Sequence, residues 1–247
     1  MTAMETPKPD GRAPGPLSKA LIRLLMKPAI VVVNECMAGN FRLITLEGPA
    51  LEGVAWMPGQ KVQIAMGSAF ATRTYTPIEW NAATGRACIL GYAHGDGPGS
   101  GWLRTVELGD GCDVFGPRSS LDLSRLSGPI AIFGDETSIG LAHAAVHQIT
   151  NRPVACHFEV DDMEAARDLT AQLGLRDTAL FERRGGDAHI EAMAAGIPAL
   201  ALAGATFVLT GRAGTIQALR RTLKQHAIPP ARVVAKAYWT PGKTGLD

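Results

Sequence analysis

The chain has 247 residues, with 24 Lys and Arg against 23 Asp and Glu, for a formal charge of +1. That balance excludes a global attraction to nucleic acid or to an anionic membrane, so any anion site must be local. Hydrophobic residues at 46% and charged residues at 19% exclude general disorder and allow one large packed domain or two smaller ones.

Residues 1–16 carry Pro7, Pro9, Pro14 and Pro16, read as a mobile tail and show no signal peptide. Ser18 can cap a short helix with Leu21, Leu24 and Leu25 on one face. From residue 30 the pattern turns to short β-type runs punctuated by Gly, Pro and Asn: Ile30–Val33, Phe41–Leu46, Lys61–Met66, Arg73–Pro77, Ala87–Tyr92 and Cys112–Gly116. Six closely spaced strands with few helices predict a small antiparallel β-barrel over residues 17–125. Past Leu126 apolar strands alternate with helical segments. The strands are Pro129–Gly134, Val154–Val160, Thr178–Phe181, Thr206–Thr210 and Val233–Tyr238, with helices near 136–150, 161–174, 187–202 and 213–226. This alternation predicts an α/β domain with a parallel sheet over residues 126–247.

Cys36, Cys88, Cys112 and Cys156 are widely spaced and form no CxxC pair, which argues against a zinc or dithiol centre. With no apolar run long enough to span a membrane, free thiols in a reducing cytoplasm are expected. His143 and His147 lie four apart on a predicted helix but lack a third ligand, so no metal site is assigned.

Two stretches of the barrel region carry the chemistry. Arg73-Thr74-Tyr75-Thr76 offers a cation, an aromatic ring and hydroxyls on one strand, with Arg73 and Tyr75 on the same face. His94-Gly95-Asp96-Gly97-Pro98-Gly99-Ser100-Gly101-Trp102 is a glycine-rich turn entering a helix expected over Trp102–Val106 and capped by Ser100. An arginine fork and free helix N–H groups suit a diphosphate, and a ring suits a flat heterocycle. FAD is the ligand that needs both. Trp102 fits either adenine contact or core packing.

Five motifs in order resemble the siderophore-interacting proteins, the FAD-containing ferric-siderophore reductases of the ferredoxin-reductase superfamily. They are the two above, Gly116-Pro117-Arg118-Ser119, Gly134-Asp135-Glu136-Thr137 and Ala237-Tyr238-Trp239. The resemblance covers about residues 27–240. It implies that the glycine turn, with Gly95, Gly97, Pro98 and Ser100, holds the FAD diphosphate with His94 near the flavin. It also implies that Asp135, Thr137 and Trp239 belong to the cofactor site. NADH or NADPH is implied as electron donor, with reduced ferredoxin used by some relatives. The substrate implied is an anionic ferric siderophore met by Arg118, Lys236 and Lys243.

The chain departs from the family at Ile78, where a second arginine is common, and after Trp239, where Thr240-Pro241-Gly242-Lys243 replaces arginines. Asp135 and Glu136 predict weak or brief binding of NAD(P)H. Glu159 and Asp161 at the end of a strand favour NADH, while Arg183, Arg184 and Arg212 are placed to reverse that choice. The expectation is a monomeric flavin reductase; a reductase for another acceptor and a non-catalytic flavin or iron-chelate carrier are the competing readings.

Overall fold

The computed structural model describes residues 25–66 and 68–242. The expected tail, the helix from Ser18 (apart from Leu25) and Lys243 lie outside them.

The first half is a seven-stranded antiparallel sheet, β1 (Lys27–Cys36), β2 (Phe41–Glu47), β3 (Lys61–Met66), β4 (Ser68–Tyr75), β5 (Pro77–Asn81), β6 (Arg86–Tyr92) and β7 (Gly111–Arg118), in the order β4-β3-β7-β1-β2-β6-β5. β4 and β5 are the two edges of this sheet yet are separated in the chain by Thr76 alone. The sheet therefore has to curl until its edges meet, which makes it barrel-like. The run Arg73–Pro77 was expected as one strand. Pro77 has no N–H to continue a ladder, so the chain changes partners there and a seventh strand begins. Along β6 and β7 the more buried side chains fall at every second position, as a single-faced sheet requires. The buried face holds Val31, Ile44, Leu46, Val62, Ile64, Ile89 and Val114.

Between β6 and β7 runs helix α1 (Pro98–Thr105). It begins earlier than expected, with Gly97 as its N-cap and Pro98 in its first turn, where a missing N–H costs nothing. Ser100 is thus inside the helix, its hydroxyl donating to the His94 carbonyl.

The second half is a five-stranded parallel sheet, β8 (Ile130–Asp135), β9 (Val154–Val160), β10 (Thr178–Glu182), β11 (Thr206–Arg212) and β12 (Val233–Trp239), in the order β10-β9-β8-β11-β12. Central β8 is buried at every position and β11 at all but its last, because helices cover both faces. These are α2 (Ile139–Gln148), α3 (Met163–Gln172), α4 (Ala188–Ala194), α5 (Ile197–Leu202) and α6 (Ala213–Gln225). One helix was expected over 187–202. Pro198 cannot sit in a helix interior, so the segment breaks at Gly196 into α4 and α5. The chain moves outward from β8 through β9 and β10, then returns to the other side with β11. Strand order reverses between β8 and β11, and open α/β sheets bind ligands at the carboxyl end of such a switch point.

One core cluster joins the two sheets. Phe41, Leu121 and Leu123 pack with Ile132, Ile139, Leu141, Phe158 and Leu169. Ile78 belongs to the same contact, since a Cβ on Gly140 of α2 would lie 3.0 Å from its Cγ2. At 3% exposure that position has no room for a solvated cation.

Candidate functional site

A cleft of about 820 Å³ opens where the barrel meets the carboxyl ends of the parallel strands. Its volume falls in the range of small-molecule sites. One wall is Thr72–Thr76 of β4 and the β4–β5 junction, the second is the turn His94–Ser100, and the third is Thr137 with Lys236–Gly242.

The first two walls touch. A Cβ on Gly99 would lie 3.2 Å from both Arg73 Cγ and Tyr75 Oη, so glycine lets the first turn of α1 lie close against β4. Tyr75 Oη sits 3.5 Å from the Gly99 carbonyl, and burial pushes its phenol pKa well above the usual value, so the ring stays neutral. Arg73 donates to the Thr72 carbonyl at 2.7 Å, which braces the guanidinium beside the helix start. The turn itself is held from outside: Arg104 donates to the Gly95 carbonyl at 2.8 Å and the Ala93 carbonyl at 3.4 Å. A Cβ on Gly95, Gly97 or Gly101 would meet nothing within 4 Å. The first N–H groups of α1 have no acceptor within the helix, and Pro98 has none to satisfy.

An aromatic row crosses the cleft. Tyr92 stacks on His94 at 5.6 Å and 20°, and His94 meets Trp239 at 5.3 Å and 46°. Trp239 is fixed by its indole N–H, which donates to Asp135 Oδ2 at 2.7 Å. On β12 the phenol of Tyr238 lies near the side chains of Thr76 and Thr210, which oppose a rise of its pKa. Burial pushes its pKa up to about 12.

Of the residues singled out in the sequence, Arg73, Thr74, Tyr75, Thr76, His94, Gly95, Gly97, Pro98, Ser100, Thr137, Lys236 and Trp239 line this one cleft. Three do not. Trp102 turns into the barrel core, its ring 5.9 Å from Tyr75, so of its two readings the packing one fits. Arg118 is exposed, stands 4.9 Å over the Phe115 ring and donates to Gln63 Oε1 at 3.3 Å. Its register partner Lys61, on β3, reaches the cleft in its place. No motif marks Lys61; only strand pairing brings it there.

Asp135 is the third. It is fully buried and both carboxylate oxygens are taken: Oδ1 by the Thr137 N–H at 2.9 Å and the Thr137 hydroxyl at 2.5 Å, Oδ2 by Trp239. Burial raises its pKa, with those donors opposing the shift. It therefore positions Thr137 and Trp239 and offers no oxygen to the cleft. Gly211, with φ +90°, makes room for it, since a Cβ there would stand 2.5 Å from the Asp135 carboxylate. Glu136 is buried as well; it accepts the Asp161 N–H at 2.6 Å and Arg183 at 2.8 Å.

A flat, anionic dinucleotide suits these residues. Arg73 and the α1 N-terminus supply cation and N–H donors for a diphosphate, the open glycines admit close approach, and the aromatic row with Thr76 and Thr137 supplies ring contacts and polar edges. Among the described residues no cluster of His, Cys, Asp and Glu is arranged to hold a metal ion, and no helix is long and apolar enough to cross a membrane.

Barrel, parallel sheet and shared cleft together define a ferredoxin-reductase-like fold. A siderophore utilization protein from T. fusca superposes with TM-score 0.73 at 20% identity, covering 90% of this chain and 95% of that one. The siderophore-interacting protein SipS of Aeromonas hydrophila gives TM-score 0.72 at 20% identity, covering 89% and 94%. Phthalate dioxygenase reductase gives TM-score 0.74 at 14% identity, covering 88% and 70%. No curated protein matches the sequence. Two family models do: "Siderophore-interacting protein" over residues 129–242 and "Siderophore-interacting FAD-binding domain" over residues 63–121. The chain belongs to the siderophore-interacting protein family.

Proposed function

We propose that this protein is an FAD-dependent reductase that carries electrons from NADH or NADPH to ferric siderophores and releases Fe(II). The observation that carries the reading is the convergence of β4 and the α1 turn on a cleft also lined by residues at the ends of β8 and β12. Family membership, with a matched FAD-binding domain, supports an oxidoreductase.

Bound FAD would supply the exchange of one hydride for two single electrons, so one NADH serves two Fe(III). The chain's own residues hold and shield. Arg73 and the α1 N-terminus bind the diphosphate, with Gly95, Gly97 and Pro98 setting the approach and Ser100 pinning the turn. Tyr75, His94 and Trp239 bound the ring face; Thr74, Thr76 and Thr137 offer polar contacts. Lys61 and Lys236 give the mouth positive charge, which draws in an anionic catecholate chelate. In this assignment Lys61 takes the place expected for Arg118.

Reconstitution with FAD followed by anaerobic NADH, NADPH or reduced ferredoxin tests the proposal. The yellow protein should bleach, then recover on adding a ferric catecholate faster than on adding oxygen, with two Fe(II) trapped per NADH oxidised. Protein that stays colourless in excess FAD would overturn the reading. Yellow protein that no donor bleaches would be a carrier. Bleached protein that ferric chelates reoxidise no faster than oxygen does would be a reductase for another acceptor.

A further inference from the structure

The carboxyl ends of the parallel strands carry three arginines, and each already has an acidic partner. Arg183, just after β10, is held on three sides. Its Nη2 lies 2.8 Å from Glu136 Oε2, its Nε 3.5 Å from Glu159 Oε2, and its Nη1 contacts the Asp161 carboxylate. Arg184 forks onto Glu182 Oε2 at 2.9 and 2.6 Å. Arg212 Nη1 lies 3.9 Å from Glu159 Oε2.

The acids beneath are themselves anchored. Glu159 has no exposed surface; Oε1 accepts from the Thr215 hydroxyl at 2.6 Å, and Oε2 sits 2.7 Å from His189 Nε2. Glu136 is 4% exposed, and its second oxygen accepts the Asp161 N–H. Asp161 differs from both, with 58% of its side chain in solvent. With Arg183 it lines a hollow of about 20 Å³ that shares Tyr92, His94, Thr137 and Trp239 with the large cleft. The cluster therefore borders the cofactor cleft, at the sheet end where a dinucleotide crosses.

NADPH differs from NADH by one ribose 2′-phosphate, which needs a guanidinium with N–H groups to give. Arg183 could turn to it only by leaving Glu136 buried without its countercharge and Glu159 with the more distant Arg212 alone, an expensive exchange. Asp161 would in addition confront the phosphate as a like charge. The free 2′-hydroxyl of NADH is instead a donor, and an exposed carboxylate is a suitable acceptor. We propose that Asp161, the exposed carboxylate beside an Arg183 already held by buried acids, makes this site selective for NADH over NADPH. This rests on the reading that a pyridine nucleotide is the donor.

Calorimetric titration of the FAD-loaded protein with NAD⁺ and NADP⁺ tests it without turnover. Wild-type protein should bind NAD⁺ about tenfold or more tighter than NADP⁺, a gap of the size one lost charge-assisted contact gives. In Asp161→Asn that ratio should shrink by about tenfold through tighter NADP⁺ binding. Asp161→Ser serves as a second variant, and melting temperatures recorded alongside confirm that both are folded. Equal affinity of wild-type protein for the two nucleotides, or a ratio unchanged in folded variants, overturns the selectivity and leaves the donor reading standing. Binding of neither nucleotide overturns both.

Discussion

His157 sits in β9 with its ring 4.5 Å from Phe133 at 9°, and 6.3 Å from Phe181. Both ring nitrogens are buried and have no partner among the described residues. Burial pushes its pKa down, with Asp177 opposing weakly, so the folded protein keeps it neutral. In the unfolded chain a histidine takes up a proton below about pH 6.5. Below that pH the unfolded state binds the extra proton, and stability must fall with acidification until the folded pKa is reached. Urea unfolding at pH 7 and pH 5 should show a loss in wild-type protein that is smaller in His157→Phe. That variant should also be about 1 kcal/mol more stable at pH 7, because it removes unpaired buried polar atoms. Equal pH slopes in the two proteins would remove His157 as the cause. Any slope left in the variant belongs to other groups, including His143, whose pKa burial also lowers.

At the scale of the element, two glycines that look alike in the sequence do different work. Gly211, the penultimate residue of β11, has φ +90° and a virtual Cβ 2.5 Å from Asp135, whereas Gly97 caps α1 at φ −67° with open space around its Cβ. Gly211→Ala should cost about 2–3 kcal/mol in urea unfolding, since strain and displacement of a buried carboxylate add. Its Trp239 environment should change as Asp135 moves. Gly97→Ala should leave stability within about 0.5 kcal/mol and weaken FAD binding alone. A destabilised Gly97→Ala protein would mean that the turn is packed against protein instead of facing the cleft.

The same elements mark what was legible beforehand. Alternation along β6 and β7 and the unbroken apolar run of β8 report which faces are buried, so their existence and order could be read. So could the meeting of Arg73–Thr76 with the glycine turn, because both are local patterns with a shared ligand chemistry. Lys61 could not, because its place depends on the register between β3 and β7. Asp135 stands inside a motif and so reads as a ligand contact. Its burial depends on a missing side chain at Gly211, far along the chain, which no local pattern reports. The breaks at Pro77 and Pro198 obey known proline chemistry, yet apolar periodicity runs through both and masks them.

Over the whole molecule, the shared core makes the two sheets one cooperative unit. Phe41 of β2 is 1% exposed and packs in the same cluster as Phe158 of β9. Phe41→Ala should lower stability by about 3–4 kcal/mol. Far-ultraviolet circular dichroism, which follows the helices, and tryptophan fluorescence, to which Trp56, Trp80 and Trp102 contribute from the barrel half, should still trace one coincident transition. Separate transitions in wild-type protein would show that the halves fold independently.

The cleft draws its walls from stretches near residues 72–100, 137–140 and 236–242, joined by no local segment. An occupant therefore works as a rivet across the seam, and its free concentration adds to the resistance of the entire chain, by about 2.7 kcal/mol at a hundredfold excess over Kd. Susceptibility to a protease becomes a gauge of loading: chains lacking their guest would be cut first, even at sites remote from the rivet.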